Sequence, residues 1–360
     1  MWDFAVVGAG PAGSRFARRA AARGASVVVF EQGEIGEPLA CSGHVSDDLW
    51  SFTPPGSSDK LRQHEITGAR FHVNGPESKS YPFYKRTRVS NVIDRVALDR
   101  CLAEAARNAG ATVRPNHTVT SVTECADHVS LSVSTPNGVD TIHARMVAGC
   151  DGPVSRVRRE LGIPAPKELL HGVLGFDENP DFDPFVDVHL TVPRFFAWRI
   201  PRGPAGVEYG LATTAGSDVG DRFAAFTDGY GISITRRCSG AIPIGPPERV
   251  TSERGFLIGD AAAQTKPFTG GGIVYGMTAA DIAAATIDPF DPITLPAYER
   301  AWREELLRDI ELGAWLRRAY ELPTPLQHAG LQVTSGEIGV HMDRPTSLFS
   351  KPHLRAALSR

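Results

Sequence analysis

The sequence lacks long hydrophobic runs and has few cysteines. No apolar run approaches the 18 residues that a helix needs to cross a bilayer, so we expect no transmembrane span. Five cysteines are present, at Cys41, Cys101, Cys125, Cys150 and Cys238. Because they are odd in number, scattered and without C-x-x-C spacing, they are typical of neither a disulfide framework nor a metal site. We therefore expect no bound metal.

The chain also lacks an excess of charge. Its 360 residues carry a net charge of −3, which gives no reason to expect a nucleic-acid partner. Hydrophobic residues make up 42% of the chain, as in ordinary globular proteins of one large domain or two joined ones. The first predicted strand begins almost at Met1, so we expect no signal peptide and a cytoplasmic location. Peripheral contact with a membrane surface stays open.

A glycine motif near the N-terminus dominates the sequence. The apolar run Phe4–Val7 stops at Gly8, Gly10 and Gly13, which have G-x-G-x-x-G spacing, and an alanine-rich helical pattern follows. Gly8 permits a sharp turn, Gly10 leaves room for a pyrophosphate, and Gly13 permits close packing of helix on strand. A second apolar strand ends in Glu31, eighteen residues after Gly13, where a carboxylate meets a ribose hydroxyl. The pattern predicts a dinucleotide-binding βαβ unit.

A second glycine-rich stretch lies far along the chain. Asp260 follows a short predicted strand, where its carboxylate can accept hydrogen bonds from ribityl or ribose hydroxyls. The consecutive glycines 270–272 then precede a predicted helix. Their N–H groups have no side chains in front of them, and they suit the pyrimidine edge of a flavin, which becomes more negative on reduction. The two glycine motifs together indicate one nucleotide site built from both ends of the chain.

The remaining patterns predict an α/β fold with a Rossmann-type nucleotide-binding domain over 1–160 and 250–290. A β-rich substrate domain is inserted at 161–249, and a helical region follows at 291–360. Strands within 66–84 are assigned to the substrate domain. The apolar spacing predicts a helix over Asn91–Ala109. Asn137-Gly138 predicts a β-hairpin.

At this point the sequence resembles a known family. The stretches that resemble the aromatic-hydroxylase superfamily of FAD flavoproteins are Gly8–Gly13, Asp94-Arg95 with Leu98-Asp99, Asp151-Gly152 with Ser155 and Arg158, and Gly259-Asp260. Those that more specifically resemble the geranylgeranyl reductases, archaeal digeranylgeranylglycerophospholipid reductases included, are Cys41-Ser42-Gly43, Phe196–Pro201 with Gly210-Leu211, and Lys266–Ile273. The resemblance spans residues 4 to 320. It implies that the nucleotide-binding domain binds FAD.

The resemblance implies a set of FAD contacts. Glu31 would take the adenosine ribose, Val119 would lie at the adenine, and Asp260 would meet the ribityl chain. The full set is Gly8, Gly10, Ala12, Gly13, Glu31, Cys41, Ser42, His44, Arg95, Val119, Asp260, Gly271, Gly272 and Ile273. His44 stands where a small residue is common in the family.

The implied reaction adds a hydride and a proton to an isolated alkene of a prenyl lipid. Cys41 and His44 are the ordinary proton donors that the motifs bring close, although Cys41 also suits a packing role. Trp198, Tyr209 and Phe268 are candidates for lining the prenyl channel, although strand aromatics often belong to the core. We expect an external electron donor, ferredoxin or NAD(P)H. The alternatives are a flavin-dependent monooxygenase and a non-catalytic flavin redox sensor.

Overall fold

The computed structural model describes residues 1–37, 41–214, 218–337 and 343. The strands are, in chain order, β1 Trp2–Val7, β2 Val27–Phe30, β3 His44–Val45, β4 Arg62–Ile66, β5 Gly68–His72, β6 Ser80–Tyr84, β7 Ser90–Ile93, β8 Thr112–Arg114, β9 Thr118–Glu124, β10 Val129–Thr135, β11 Gly138–Gly149, β12 Glu168–Asp177, β13 Phe185–His189, β14 Ala197–Pro201, β15 Val207–Thr214, β16 Arg236–Ile244 and β17 Gly255–Leu257. The helices are α1 Pro11–Ala21, α2 Ser57–Leu61, α3 Arg95–Asn108, α4 Arg156–Glu160, α5 Val219–Asp228, α6 Ile273–Thr286, α7 Leu295–Arg317 and α8 Thr324–Thr334.

The first sheet has the Rossmann-type arrangement that the glycine motif predicts. Its strands run in the order β8-β2-β1-β11-β10-β9, and β17 pairs with β11. β1 pairs in parallel with both β2 and β11, and β17 is parallel to β11, while β9 and β10 are antiparallel additions. The buried side chains of β1, α1, α6 and α7 form one large core, which includes Phe4, Phe16 and Trp302. This sheet forms the platform for the nucleotide site.

The second sheet is mixed and contains strands from two distant parts of the chain. Its order is β16-β12-β15-β14-β13-β5-β6. The neighbours are antiparallel except for β13 and β5, which run in parallel with Phe185 opposite Gly68. A small third sheet has the order β3-β7-β4. In the sequence, β3 and β4 precede the β5–β6 hairpin and β7 follows it. The hairpin β5–β6 thus joins strands that lie more than a hundred residues further along the chain.

The expected helix over Asn91–Ala109 is wrong at its N-terminal end. Asn91 and its neighbours form β7, which pairs with β3 and β4. Val92 and Ile93 are fully buried, and β-branched side chains of this kind favour strands. The helix begins only at Arg95, because the Asp94 side chain accepts a hydrogen bond from Ala97 N and caps it. The expected hairpin at Asn137-Gly138 is present, with Thr135 opposite Gly138.

The C-terminal part of the described chain is helical. α7 packs with its buried face on α6, and α8 follows after a short 3₁₀ turn. Beyond α8, Gly336 N donates to Pro82 O, which joins this segment to β6. The parts of the expected helical region that cover 338–342 and 344–360 lie outside the described residues. Among the helices of the described chain, none combines the length and apolar character needed to cross a membrane.

Candidate FAD and substrate site

The turn between β1 and α1 has one open side. Gly8 has a φ of +99°, and a Cβ on Gly13 would lie 2.0 Å from Gly8 O, so both glycines are required by the packing of the turn itself. A Cβ on Gly10 would meet no atom within 4 Å, and Gly10 lines a large cavity. Helix α1 begins at the next residue, so its free N–H groups lie at this open side. The turn leaves room for a phosphate at Gly10.

The Glu31 carboxylate closes the adenosine end of the site. Its Oε2 accepts a hydrogen bond from Ala9 N at 2.8 Å, and its Oε1 accepts one from Gln32 N at 2.9 Å. Each carboxylate oxygen keeps a further lone pair for a ligand hydroxyl. Val119 lines the same cavity from β9. Both predicted adenosine contacts therefore line the same cavity.

A single cavity of about 1190 Å³ extends from Glu31 to the second sheet and α8. The predicted site residues that line it are Gly8, Gly10, Ala12, Glu31, Cys41, Ser42, His44, Arg95, Val119, Trp198, Asp260, Phe268, Gly271, Gly272 and Ile273. Gly13 is not among them, because it packs against Gly8 instead. The two motifs from opposite ends of the chain thus meet in one space.

Asp260 and the glycines 270–272 line the same cavity. Burial raises the pKa of Asp260 to about 6, although the charge of Arg95 opposes the shift. A Cβ on Gly272 would lie 2.5 Å from Asp260 Oδ1, so only glycine fits beside this carboxylate. Helix α6 begins at Ile273. The carboxylate is therefore buried next to the exposed N–H groups of a helix N-terminus.

Cys41 lies beside a buried arginine. Arg95 forms an ion pair with Asp99, with Arg95 Nη1 2.7 Å from Asp99 Oδ1. Burial alone would lower the pKa of Arg95, but the Asp99 carboxylate and the Cys41 sulfur hold it above its usual value. Within the described residues, Arg95 Nε is buried without a hydrogen-bond partner. A positive charge therefore adjoins the thiol in the cavity wall.

His44 is buried and uncharged at neutral pH. Burial, and after it the positive charge of Lys266, lowers the pKa of His44 to about 4. Its Nε2 and Ser90 Oγ are in hydrogen-bond contact at 2.7 Å. Lys266 itself forms a buried ion pair with Asp343. The imidazole is therefore held as a neutral ring.

The other end of the cavity is apolar. It is enclosed by the inner face of the second sheet, by α7 and by α8, and its lining residues include Phe196, Trp198, Ile242, Phe268 and Leu331. Phe268 stacks on Tyr320 with ring centroids 5.2 Å apart. Leu322 and Leu326 line the cavity and are also exposed to solvent, so the cavity opens beside α8. This end suits a long hydrocarbon chain.

Tyr209 does not line this cavity. Trp198 is paired with Gly210 across β14 and β15, while Arg199 is paired with Tyr209. Side chains of adjacent strand residues point to opposite faces, so Tyr209 lies on the outer face of the sheet. There it packs with Phe226 and Tyr230 beneath α5. The expectation that Tyr209 contacts substrate is therefore corrected.

Three residues of the site were not identified from the sequence: Lys266, Arg202 and Glu208. Lys266 lies within a recognised motif but carried no predicted role. Arg202 donates hydrogen bonds to Ser42 O and Ile93 O, and Glu208 accepts from Trp198 Nε1. Because Arg202 and Ser42 are 160 positions apart in the chain, no local sequence pattern could have predicted their contact.

The residues present fit FAD. The Glu31 carboxylate, the open side of Gly10 and the buried Asp260 all line one cavity, and their chemistry suits the ribose, the pyrophosphate and the ribityl chain of FAD. Arg95 Nε and Thr269 Oγ1 are buried polar atoms of the cavity wall that lack a partner within the described residues. Such atoms are costly unless a ligand satisfies them. Among the described residues, no group of His, Cys, Asp or Glu is placed to hold a metal ion.

Comparisons with known proteins agree with this site. Residues 1–191 match the model of a family described as an FAD binding domain. A digeranylgeranylglycerophospholipid reductase of Methanothrix thermoacetophila is 31% identical over 86% of this chain and 84% of its own length. Digeranylgeranylglycerophospholipid reductase 2 of Methanothermobacter thermautotrophicus is 29% identical over 88% of this chain and 87% of its own.

A solved structure shows the same fold. The geranylgeranyl bacteriochlorophyll reductase-like protein of Thermoplasma acidophilum superposes with a TM-score of 0.86 and 23% identity, covering 100% of this chain and 96% of that one. FAD is therefore the cofactor of this protein. The FAD binding domain model matches more than half of the chain, and the reductase of Methanothrix thermoacetophila is 31% identical over most of it. The chain therefore belongs to the digeranylgeranylglycerophospholipid reductase family of FAD-dependent flavoproteins.

Proposed function

We propose that this protein saturates carbon–carbon double bonds in the geranylgeranyl chains of a prenyl lipid, of the archaeal digeranylgeranylglycerophospholipid type. The observation that carries the proposal is the single cavity. It connects a dinucleotide site at Glu31 and Gly10 to an apolar channel at Trp198 and Phe268, with Cys41 in its wall. A hydrocarbon chain in the apolar end can therefore reach the cofactor without entering water.

Reduced FAD supplies the hydride for one alkene carbon. The other carbon needs a proton, and we assign that proton to the Cys41 thiol. When its S–H bond breaks and a C–H bond forms, a thiolate remains, and the adjacent Arg95 guanidinium stabilises that negative charge. Solvent returns the proton between turnovers. His44 is a poorer source, since its pKa of about 4 leaves the ring without a dissociable proton of suitable acidity at pH 7.

The test is mass spectrometry of the lipid after incubation with chemically reduced protein without oxygen. A gain of two hydrogens for each saturated double bond supports the proposal. A gain of one oxygen under air, with no saturation, would identify a monooxygenase instead. Flavin that is reduced but never reoxidised by the prenyl lipid would indicate a redox sensor. Electrons come from an external donor, and anaerobic reduction with ferredoxin and with NAD(P)H in parallel identifies which.

We further propose that α8 contacts the membrane surface from which the lipid enters. The helix contains no charged residue, and its Leu326, Ala329 and Val333 are exposed at the spacing of one helix face. Leu326 also lines the cavity mouth. An apolar helix face of this kind lies in the interface of a bilayer, where it buries its exposed hydrocarbon area.

Val333→Asp tests this contact, because Val333 is 70% exposed and does not line the cavity. We expect it to weaken flotation with prenyl-lipid vesicles at least several-fold. Val139→Asp is the matched control, since Val139 is 72% exposed in the β10–β11 hairpin. Equal flotation of both variants and the unaltered protein would assign vesicle binding to another surface.

A further inference from the structure

We infer that Arg202 is a positioning residue that joins the wall of the apolar channel to the loop carrying Cys41. The expected effect on kcat rests on the proposed function, whereas the expected effect on the position of the Cys41 loop does not. Arg202, Glu208 and Trp198 form a chain of hydrogen bonds from the second sheet to Ser42 O. Through this chain, the side chain that borders the hydrocarbon is connected to the backbone beside the proton donor.

Arg202 makes four hydrogen bonds from one buried guanidinium. It is 7% exposed, and its Nη1 donates to Ser42 O at 2.5 Å and to Glu208 Oε2 at 3.1 Å. Its Nη2 donates to Gln63 Oε1 at 2.7 Å and to Ile93 O at 3.0 Å. The planar fork thus holds two backbone carbonyls of the FAD domain at fixed positions. Lysine has one nitrogen and cannot reproduce this geometry.

Glu208 connects Arg202 to the channel wall. Its side chain is fully buried, and Oε1 accepts from Trp198 Nε1 at 2.9 Å. Burial raises the pKa of this carboxyl, and the Arg202 charge opposes the shift. The indole has little freedom, because a Cβ on Gly210 would lie 2.3 Å from Trp198 Cε2. Movement of the ring would therefore disturb the Glu208–Arg202 pair.

The loop that contains Ser42 and Gly43 is held by hydrogen bonds to β7 and to Arg202. Gly43 O accepts from Ile93 N at 3.0 Å, and a Cβ on Gly43 would lie 2.6 Å from Ile93 O. Ser42 O and Ile93 O are both bound by Arg202, so the guanidinium fixes the loop against β7. Cys41 directly precedes Ser42 in this loop, and it lies beside Arg95. Loss of Arg202 therefore releases the segment that places the thiol.

The kinetic expectation concerns turnover rather than binding. In Arg202→Lys, we expect kcat for prenyl reduction to fall by about 10- to 100-fold, since a displacement of about 1 Å at a reacting group has this cost. KM should change little, because the apolar channel keeps its walls. FAD binding and flavin reduction should be retained, since Arg202 is bonded to none of the predicted nucleotide contacts except the Ser42 carbonyl.

A measurement without substrate tests the structural part. The alkylation rate of Cys41 by iodoacetamide, resolved by peptide mass spectrometry, reports how the thiol is held. We expect Arg202→Lys to change this rate at least several-fold, with Cys125 as an internal reference. Arg199→Lys is the matched control, because Arg199 lies on β14 only three residues before Arg202, its side chain is 13% exposed, and it pairs with Asp187 on the opposite face. It should leave the Cys41 rate unchanged.

Trp198→Phe provides a second variant, since it keeps an aromatic ring but removes the N–H donor to Glu208. If the chain of bonds transmits position, its effect and that of Arg202→Lys on the Cys41 rate are less than additive in the double variant. A folded Arg202→Lys protein with unaltered Cys41 alkylation and unaltered kcat would overturn the inference. Unaltered protein that fails to reduce prenyl lipid would overturn the proposed function instead, and the alkylation data would still stand.

Discussion

Cys41 and His44 line the same cavity but have different charged neighbours. His44 is buried beside Lys266 and is neutral, because protonation would place two positive charges in a desolvated space. Cys41 adjoins the Arg95 guanidinium, and in the proposed reaction this charge would stabilise the thiolate. The same cavity thus contains one titratable side chain suited to donate a proton and one suited to hold a neutral hydrogen bond.

Replacement of Cys41 separates a proton donor from a packing residue. We expect Cys41→Ser to keep FAD and to accept electrons, yet to lose prenyl reduction by about 100-fold or more, the usual scale for a lost general acid. Turnover should be measured with the flavin reduced beforehand. Cys125→Ser is the control, since Cys125 lies at the β9–β10 connection away from the cavity. Near-normal turnover of Cys41→Ser would transfer the role to His44 or to an ordered water.

The sequence predicts residue roles only where a motif is local. Gly10, Glu31 and Asp260 belong to short patterns whose chemistry depends on neighbours in the chain. Trp198 and Tyr209 looked equivalent, because the register that puts Gly210 opposite Trp198 is a property of two paired strands. Arg202 binds Ser42 and Ile93, which are more than a hundred positions away, and Glu208 is connected to them only through Arg202, so sequence spacing could not reveal either role.

The β1–α1 turn is the element in which stability and binding can be separated. Two of its glycines serve protein packing, whereas the third serves the ligand. Gly13 approaches Gly8 O too closely for any side chain, while Gly10 faces open space. The motif therefore combines two independent requirements in six residues.

Two alanine substitutions distinguish these requirements. Gly10→Ala should leave the thermal stability of the FAD-free protein nearly unchanged but weaken FAD binding at least tenfold, because the methyl group occupies the space of the pyrophosphate. Gly13→Ala should lower the melting temperature of the FAD-free protein, since its Cβ would lie 2.0 Å from Gly8 O. Flavin fluorescence and thermal unfolding are the measurements. Equal losses of stability in both variants would contradict this division.

Element boundaries were less predictable than element types. The helical spacing of Leu98, Leu102 and Ala106 correctly indicated α3, but it could not exclude Asn91 to Ile93. Those residues form a strand because β3 and β4 are there to pair with them. Such pairing partners are fixed by tertiary structure, which overrides local preference.

Among the residues that the structure describes, the buried His44 and His189 have pKa values well below the ordinary value of histidine. Burial, followed by the charge of His72, lowers the pKa of His189 to about 3, and His44 has a pKa of about 4. In the unfolded chain both titrate near 6.5. Between pH 6.5 and 4 the unfolded chain therefore binds more protons, so the free energy of unfolding decreases as the pH falls.

We expect His189→Phe to reduce this acid sensitivity. From pH 7.5 to pH 5, each such histidine contributes a loss of up to about 2 kcal/mol of stability. The variant loses the contact of 2.7 Å between His189 Nε2 and Tyr230 Oη, so its melting temperature at pH 7.5 falls too. The difference between the two pH values should nevertheless be smaller than in the unaltered protein. Replacement of the exposed His171 by Gln is the control, and an identical pH dependence in all three proteins would contradict the assignment.

The parallel pairing of β5 with β13 has a consequence for synthesis. Asp187 lies opposite Arg70, so β5 emerges from the ribosome 117 residues before the strand that will cover its edge. During this interval the β5–β6 hairpin is an unprotected sheet edge with two aromatic side chains, Phe71 and Phe83, in contact. More than half of the chain must therefore be synthesised before β13 can cover this edge. Slowing translation between residues 84 and 185 would lengthen the period in which it is open to aggregation.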